Sequence, residues 1–178
     1  MKYLRKVLPL TVSLLLTPLF LGQQQTVFAE FDCNTVSEIP ISECEALVSL
    51  YNSTNGESWS NNDGWLISDT PCGWHGIICS GGHVTWPNLK DNQLTGSIPI
   101  ELSSLTNLLW LYIQDNQLTG NIPVGLMNLT SLSDLNICNN HLYTTNSDLR
   151  DFLSSLQSDW EKCQKRHITQ ILLLLLGE

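Results

Sequence analysis

The sequence predicts an α/β fold: a short right-handed solenoid with parallel strands on its concave face and helical caps at both ends. Three observations predict it. Asn92, Asn116 and Asn140 stand 24 residues apart, and leucines, glycines and Ile-Pro pairs recur in phase with them. A fixed period in that range means stacked supersecondary units. The flanks drop the period and carry apolar residues at helical spacing, as lids must, because an open stack exposes its core. The six cysteines form an even set in a chain that opens with an export signal, which reads as a disulfide framework.

Residues 1–29 read as a secretory signal peptide. Lys2, Arg5 and Lys6 give a positive start, an apolar stretch runs from Val7 to Leu21, and Val27-Phe28-Ala29 places a small residue before a cut at Glu30. An uncleaved anchor is the other reading; the stretch is short for one and is interrupted by Pro9 and Pro18. The expected location is secreted, extracellular or cell-surface, with no stable membrane insertion after cleavage. Removing the signal leaves five bases against 17 acids, so the net charge moves from −9 to −12. Phosphate contacts need cations, so nucleic acid is not an expected partner.

Residues 30–83 read as a cysteine-containing front cap. Ser42-Glu43-Cys44-Glu45 has the form of a capping box opening a helix. Cys44, Leu47, Val48 and Tyr51 then share one face. Trp59, Trp65 and Trp74 follow among Asn, Gly and Ser, as a loop-rich plug. Six cysteines allow fifteen pairings. Cys33/Cys44 and Cys72/Cys79 are local neighbours, which leaves Cys138/Cys163 by elimination. Metal binding by Cys72, His75 and Cys79 is the alternative, but no second ligand pair stands at zinc spacing. No metal is expected. Asn61-Asn62-Asp63-Gly64 reads as a turn, because a calcium loop would need a closing Glu that is missing.

Residues 84–145 hold two full repeats and one partial. Leu111-Tyr112-Ile113 alternates inward and outward, a short strand with one buried face. A sharp turn follows. A buried Asn amide can both donate and accept, so Asn92, Asn116 and Asn140 can form an internal ladder that satisfies the peptide groups of the bend. Gly96 and Gly120 free the next bend, and Pro99 and Pro123 stiffen the segment after it. Pro87 takes the place of Leu111 and Leu135, so the first strand is expected to fray or bulge there. After Leu142 the Gly-x-Ile-Pro is lost, which marks the end of the repeats. Leu149, Phe152, Leu153, Leu156 and Trp160 are spaced as a helix, giving a closing cap over residues 146–166. The tail 167–178, with Leu172–Leu176, is too short to span a bilayer and is left unassigned.

The stretches "LKDNQLTGSIPIELSSL" and "LTNLLWLYIQDNQLTGNIPVGLMNL" strongly resemble the plant-type leucine-rich repeat, LxxLxxLxLxxNxLxGxIPxxLxxLxx. Residues 43–80 resemble the N-terminal cap that precedes such repeats, which implies a bond between Cys72 and Cys79. The closing segment looks like the cap of short repeat proteins secreted by bacteria. The resemblance extends to plant receptor-kinase ectodomains and secreted polygalacturonase inhibitors, and it implies recognition of a protein, peptide or glycan.

The period also places the binding surface. Residues alternating with the inward Leu and Ile form the columns Trp86/Trp110/Asp134, Asn88/Tyr112/Asn136, Lys90/Gln114/Cys138 and Asp91/Asp115/Asn139 on the concave face. Trp86, Trp110 and Tyr112 become an exposed aromatic cluster beside acids and amides, and Trp and Tyr are favoured interface anchors. The other reading is that Trp86 and Trp110 stack on each other and stiffen the sheet. None of the four histidines stands at a recognisable spacing from a nucleophile and an acid. No catalytic residue and no cofactor is assigned, and the chain is read as a binding protein, not an enzyme. A structural or adhesive component of a longer cell-surface protein, truncated here, is the alternative. Asn-x-Thr sequons at Asn52 and Asn128 matter where the host glycosylates exported chains.

Overall fold

The structure is a computed structural model and describes residues 31–165. The expected signal 1–29 and the tail 167–178 lie outside the described residues. A 3₁₀ turn at Cys33–Thr35 leads into helix α1, Ile41–Ser53. The helix does not open on a capping box. It follows Pro40, which stands at the N-cap with φ −57° and no side-chain cap bond, and whose carbonyl accepts from the N–H groups of Glu43 and Cys44. The proline ring fixes the entry angle, so the helix starts before Ser42 and leaves that hydroxyl outside any cap. The buried side of α1 is also turned from expectation. Glu43, Cys44, Ala46, Leu47 and Leu50 are buried, while Val48 and Tyr51 are half-buried. Tyr51 faces sideways because its ring packs on Trp59 and Trp65 at centroid distances of 5.3 and 5.9 Å.

Beyond the Trp plug lies a hairpin that the repeat pattern did not reveal. Strand β1, Ile77–Ser80, pairs antiparallel with β2, His83–Pro87. Gly81 and Gly82 connect them, both with positive φ (60° and 79°), the backbone that a tight two-residue turn demands. Pro87 itself stays paired, buried opposite Ile77. The bulge lies two residues earlier in the same strand: Ile78 and Cys79 are consecutive on β1 but face Trp86 and Val84, so Thr85 is the extra residue, and β2 buries both Val84 and Thr85. The cost of the proline appears on the other edge. There β2 meets the next strand through single bonds, Leu109 N–H to Thr85 O and Leu89 N–H to Tyr112 O, with one isolated bridge at Asn88 and Tyr112 instead of a ladder.

The repeats supply the remaining strands: β3, Thr95–Gly96; β4, Trp110–Tyr112; β5, Gln117–Asn121; β6, Asp134–Asn136; and β7, His141–Tyr143. β4 and β6 pair in parallel, Leu111 beside Leu135. On the other side of the bend β3, β5 and β7 form a second parallel sheet. The 3₁₀ turns at Ile100–Ser104 and Val124–Asn128 drive Leu102 and Leu126 inward. Rows of buried side chains run between coils, among them Leu94, Leu118 and Leu142, and Leu105 and Leu129. Each such leucine contributes roughly 1.5–3 kcal/mol through burial. Gly96 is fixed by two demands. Its φ is 78°, and a Cβ there would collide with the Ser53 carbonyl at the end of α1.

The bends carry the ladder. Asn92, Asn116 and Asn140 are at most 2% exposed. Asn116 Oδ1 accepts from the N–H groups of Asn92 (3.0 Å) and Leu94 (2.9 Å). Its Nδ2 donates to the carbonyls of Leu89, Ile113 and Gln114. Asn140 repeats this one coil on, accepting from Leu118 N–H and donating to Ile113, Ile137 and Cys138. Asn92 closes the front end, bonding both the N–H and the carbonyl of Asn61. The rear end holds a rung that had not been foreseen. Gln164 stands one further period along; its Oε1 accepts from Leu142 N–H at 3.1 Å and its Nε2 donates to Ile137 and Trp160 carbonyls.

Helix α2, Ser147–Leu156, opens on Asn146, whose side chain accepts from Leu149 N–H at 2.8 Å, a preferred cap. Leu149, Leu153 and Trp160 are buried. The cysteines pair as Cys33–Cys44, Cys72–Cys79 and Cys138–Cys163. Asp91, Asp115 and Asn139 do not form a strand column. Each has φ between 52° and 58°, the left-handed region that Asp and Asn tolerate best after Gly. Their recurrence comes from the bend.

Candidate functional site

The strand face gathers most of the residues that the columns singled out. β4 and β6 alternate in burial, so that Leu111 and Leu135 point in while Trp110, Tyr112, Asp134 and Asn136 reach the other side. The register sets Trp110 beside Asp134 and Tyr112 beside Asn136. Trp86, from β2, meets Trp110 and Tyr112 edge-on at centroid distances of 5.6 and 5.7 Å. Such pairs gain about 0.5–1.5 kcal/mol beyond the area they bury. Trp110 remains 38% exposed. The cluster thus combines a sheltered ring, Trp86, with an open one.

Polar groups surround it. Tyr112 donates its phenol proton to Asp134 Oδ2 at 2.6 Å, a charge-assisted bond. That bond, with burial and the carboxylate's charge behind it, raises the Tyr112 pKa above the ordinary tyrosine value. Because the folded state holds this proton more tightly, the bond supports the fold below the ordinary tyrosine pKa and is lost as pH climbs through the raised one. In an alkaline titration followed at 295 nm, Asp134→Ala is expected to shift one late-ionising tyrosine to lower pH. An unchanged profile would contradict the bond.

Asn136 accepts from Cys138 N–H and so is engaged internally. Lys90 is exposed and joins no ion pair among the described residues. Three polar atoms on this face, Trp86 Nε1, Asn88 Oδ1 and Gln114 Oε1, are enclosed yet have no hydrogen-bond partner among the described residues. Buried polar groups are usually paired, so this cluster of exceptions marks the face.

Other chemistry is already engaged. A cavity of about 660 Å³ lies along β7, lined by His141, Tyr143, Arg150, Trp160 and Lys165 among others. Its cations are taken: Arg150 by Glu161 at 2.7 Å and Lys165 by the Asn116 carbonyl at 2.9 Å. Cys138, Asp159 and Cys163 cluster like metal ligands, but the two sulfurs are bonded to each other. Sequence reading missed Glu43 and His83. Glu43 is buried, with His83 Nδ1 and the Val84 N–H each 2.7 Å from its oxygens, and so ties α1 to β2. The acid had been placed in a capping box, and no spacing rule links residues 43 and 83.

The comparisons bear on the fold that carries this face. No protein-family model matches the chain. Pollen receptor-like kinase 1 of Arabidopsis thaliana is 44% identical over 45 residues, 25% of this chain and 7% of that protein. The solved structure of PEPR1-AtPEP1 is 26% identical with a TM-score of 0.50, covering 70% of this chain and 17% of that one. The chain resembles plant leucine-rich-repeat ectodomains. A plant ice-binding protein shares this fold at 24% identity and a TM-score of 0.54, over 60% of this chain and 35% of that one. The leucine-rich-repeat chain spans 7% and 5% of the lengths of the curated relatives that it matches. Among the described residues, no helix of this repeat protein is long and apolar enough to cross a membrane.

Proposed function

We propose that this chain is an extracellular recognition module. Its strand face, centred on Trp86, Trp110 and Tyr112, binds a protein, peptide or glycan. One observation carries the proposal: Trp110 stays 38% exposed within a built aromatic cluster. Enclosed, unpaired polar atoms at Trp86, Asn88 and Gln114, on the same strand face, support the reading. PEPR1, crystallised with AtPEP1, supports binding as the role of the fold. The helices at either end, α1 and α2, close the stack as caps, and the three disulfides suit an oxidising compartment.

The face is small. Two full coils and part of a third offer at most about the ~800 Å² per partner of a standard interface, so contacts depend on few anchors. Trp110→Ala is expected to weaken partner capture by about tenfold or more, as loss of an interface anchor does, while the melting temperature stays within ~3 °C, the range of a surface substitution. Capture is measured with immobilised chain against its native surroundings, wild type beside variant. Unfolding of the variant would assign the indole to stiffening the sheet instead.

A further inference from the structure

We infer that the strand face selects a cationic ligand, and specifically that the exposed Trp110 ring and the Asp134 carboxylate beside it take an arginine side chain from a peptide segment of the partner. This rests on the strand face being the binding surface, and it names the chemistry which that surface selects.

Three features point the same way. The first is geometry. Trp110 and Asp134 are register partners in the parallel β4–β6 pair. An open indole and a carboxylate therefore stand side by side at strand spacing, roughly 4.8 Å. A guanidinium is planar. It can lie on the ring while its edge donates to the carboxylate, whereas an ammonium offers a compact charge with no stacking plane. Tyr112 holds the carboxylate in place through Oδ2, so the anion is positioned before any ligand arrives.

The second is the sign of the hydrogen-bonding groups. The Asp134 carboxylate beside the open ring is acceptor-only, with Oδ2 taken by the Tyr112 phenol, and a guanidinium carries five N–H donors and no acceptor. A neutral glycan hydroxyl would leave the charge of Asp134 unused.

The third is the field. Asp91 and Asp115 lie exposed on the adjoining bends, Lys90 is the cation of the face, and the whole sequence carries a net charge of −9. Such a surface attracts cations and repels anionic ligands.

The test uses the full chain, secreted so that its disulfides form, and two fluorescein-labelled octapeptide pools. Both are randomised over Gly, Ser, Ala, Thr and Asn. One fixes arginine at the fourth position; the other fixes citrulline, its neutral isostere. Fluorescence anisotropy is expected to show about tenfold tighter binding of the arginine pool, near 1.4 kcal/mol. That preference shrinks as salt is raised. Asp134→Asn is expected to bring the two pools level, and Trp110→Ala to weaken both. Equal binding of the pools by the wild type, with both lost in Trp110→Ala, would overturn the arginine inference and leave the strand face as the binding surface. An arginine preference that survives Trp110→Ala and Asp134→Asn would overturn both. Binding of neither pool also overturns the inference, while the capture experiment with Trp110→Ala judges the face independently. Circular dichroism of each variant separates loss of binding from loss of fold.

Discussion

Asn116→Ala is expected to destabilise the chain by about 3–5 kcal/mol, the sum expected when several buried backbone groups lose their partners at roughly 1–3 kcal/mol each. Two N–H groups and three carbonyls bond this one side chain. Water cannot replace it, because Asn116 is 1% exposed. Thermal unfolding followed by circular dichroism checks this. For a domain of this size the drop corresponds to ~10–20 °C. Asn116→Asp is the sharper control, since a carboxylate keeps the acceptor and loses the donors. It is expected to destabilise as well, because it sets an acceptor against three carbonyl oxygens. A variant melting within ~2 °C of the wild type would show that the ladder adds little beyond ordinary surface positions.

Removing the rear disulfide is the second large effect. Cys138 and Cys163 close a loop with a sequence separation of 25, and cross-links of such length stabilise by about 3 kcal/mol or somewhat more. The bond also secures a seam. Asn139 N–H donates to the Cys163 carbonyl, and Gln164 reaches back to Leu142 next door. The double variant Cys138→Ser, Cys163→Ser is therefore expected to lose about 3–4 kcal/mol. Its amide exchange should speed up first at Leu142 and in α2, where local opening begins. Uniform acceleration across all coils would show that the bond acts on the unfolded chain alone.

Much of the fold was legible because stacking forces repetition. Asn92, Asn116 and Asn140 announce the coil length, and the leucines in phase with them announce its interior. What stayed hidden belongs to single, non-repeating contacts. The carboxylate of Glu43 finds His83 and Val84 across 40 residues of chain, a pairing that no local pattern encodes. Gln164 escaped notice because a glutamine broke the asparagine column, although it stands on the same period. The Gly81-Gly82 turn was a readable hairpin signal, passed over because the Trp-rich stretch before it read as loop. At the candidate site the columns placed Trp86, Trp110, Tyr112 and Asp134 together. They could not show that the phenol locks onto the carboxylate, which depends on side-chain torsions. The Asp91/Asp115/Asn139 column arose from backbone conformation, and recurrence alone does not separate that cause from ligand contact.

The repeated carboxamide has a further consequence for how such a chain changes length. The front plug meets the first coil through Asn92 and the backbone of Asn61, the coils meet one another through Asn116 and Asn140, and the last coil meets the closing turn through Gln164. All these junctions share one donor–acceptor code. A duplicated 24-residue unit slotted at any of them would present the partners that its neighbours already expect, so growth or loss by whole modules leaves both terminal pieces chemically undisturbed.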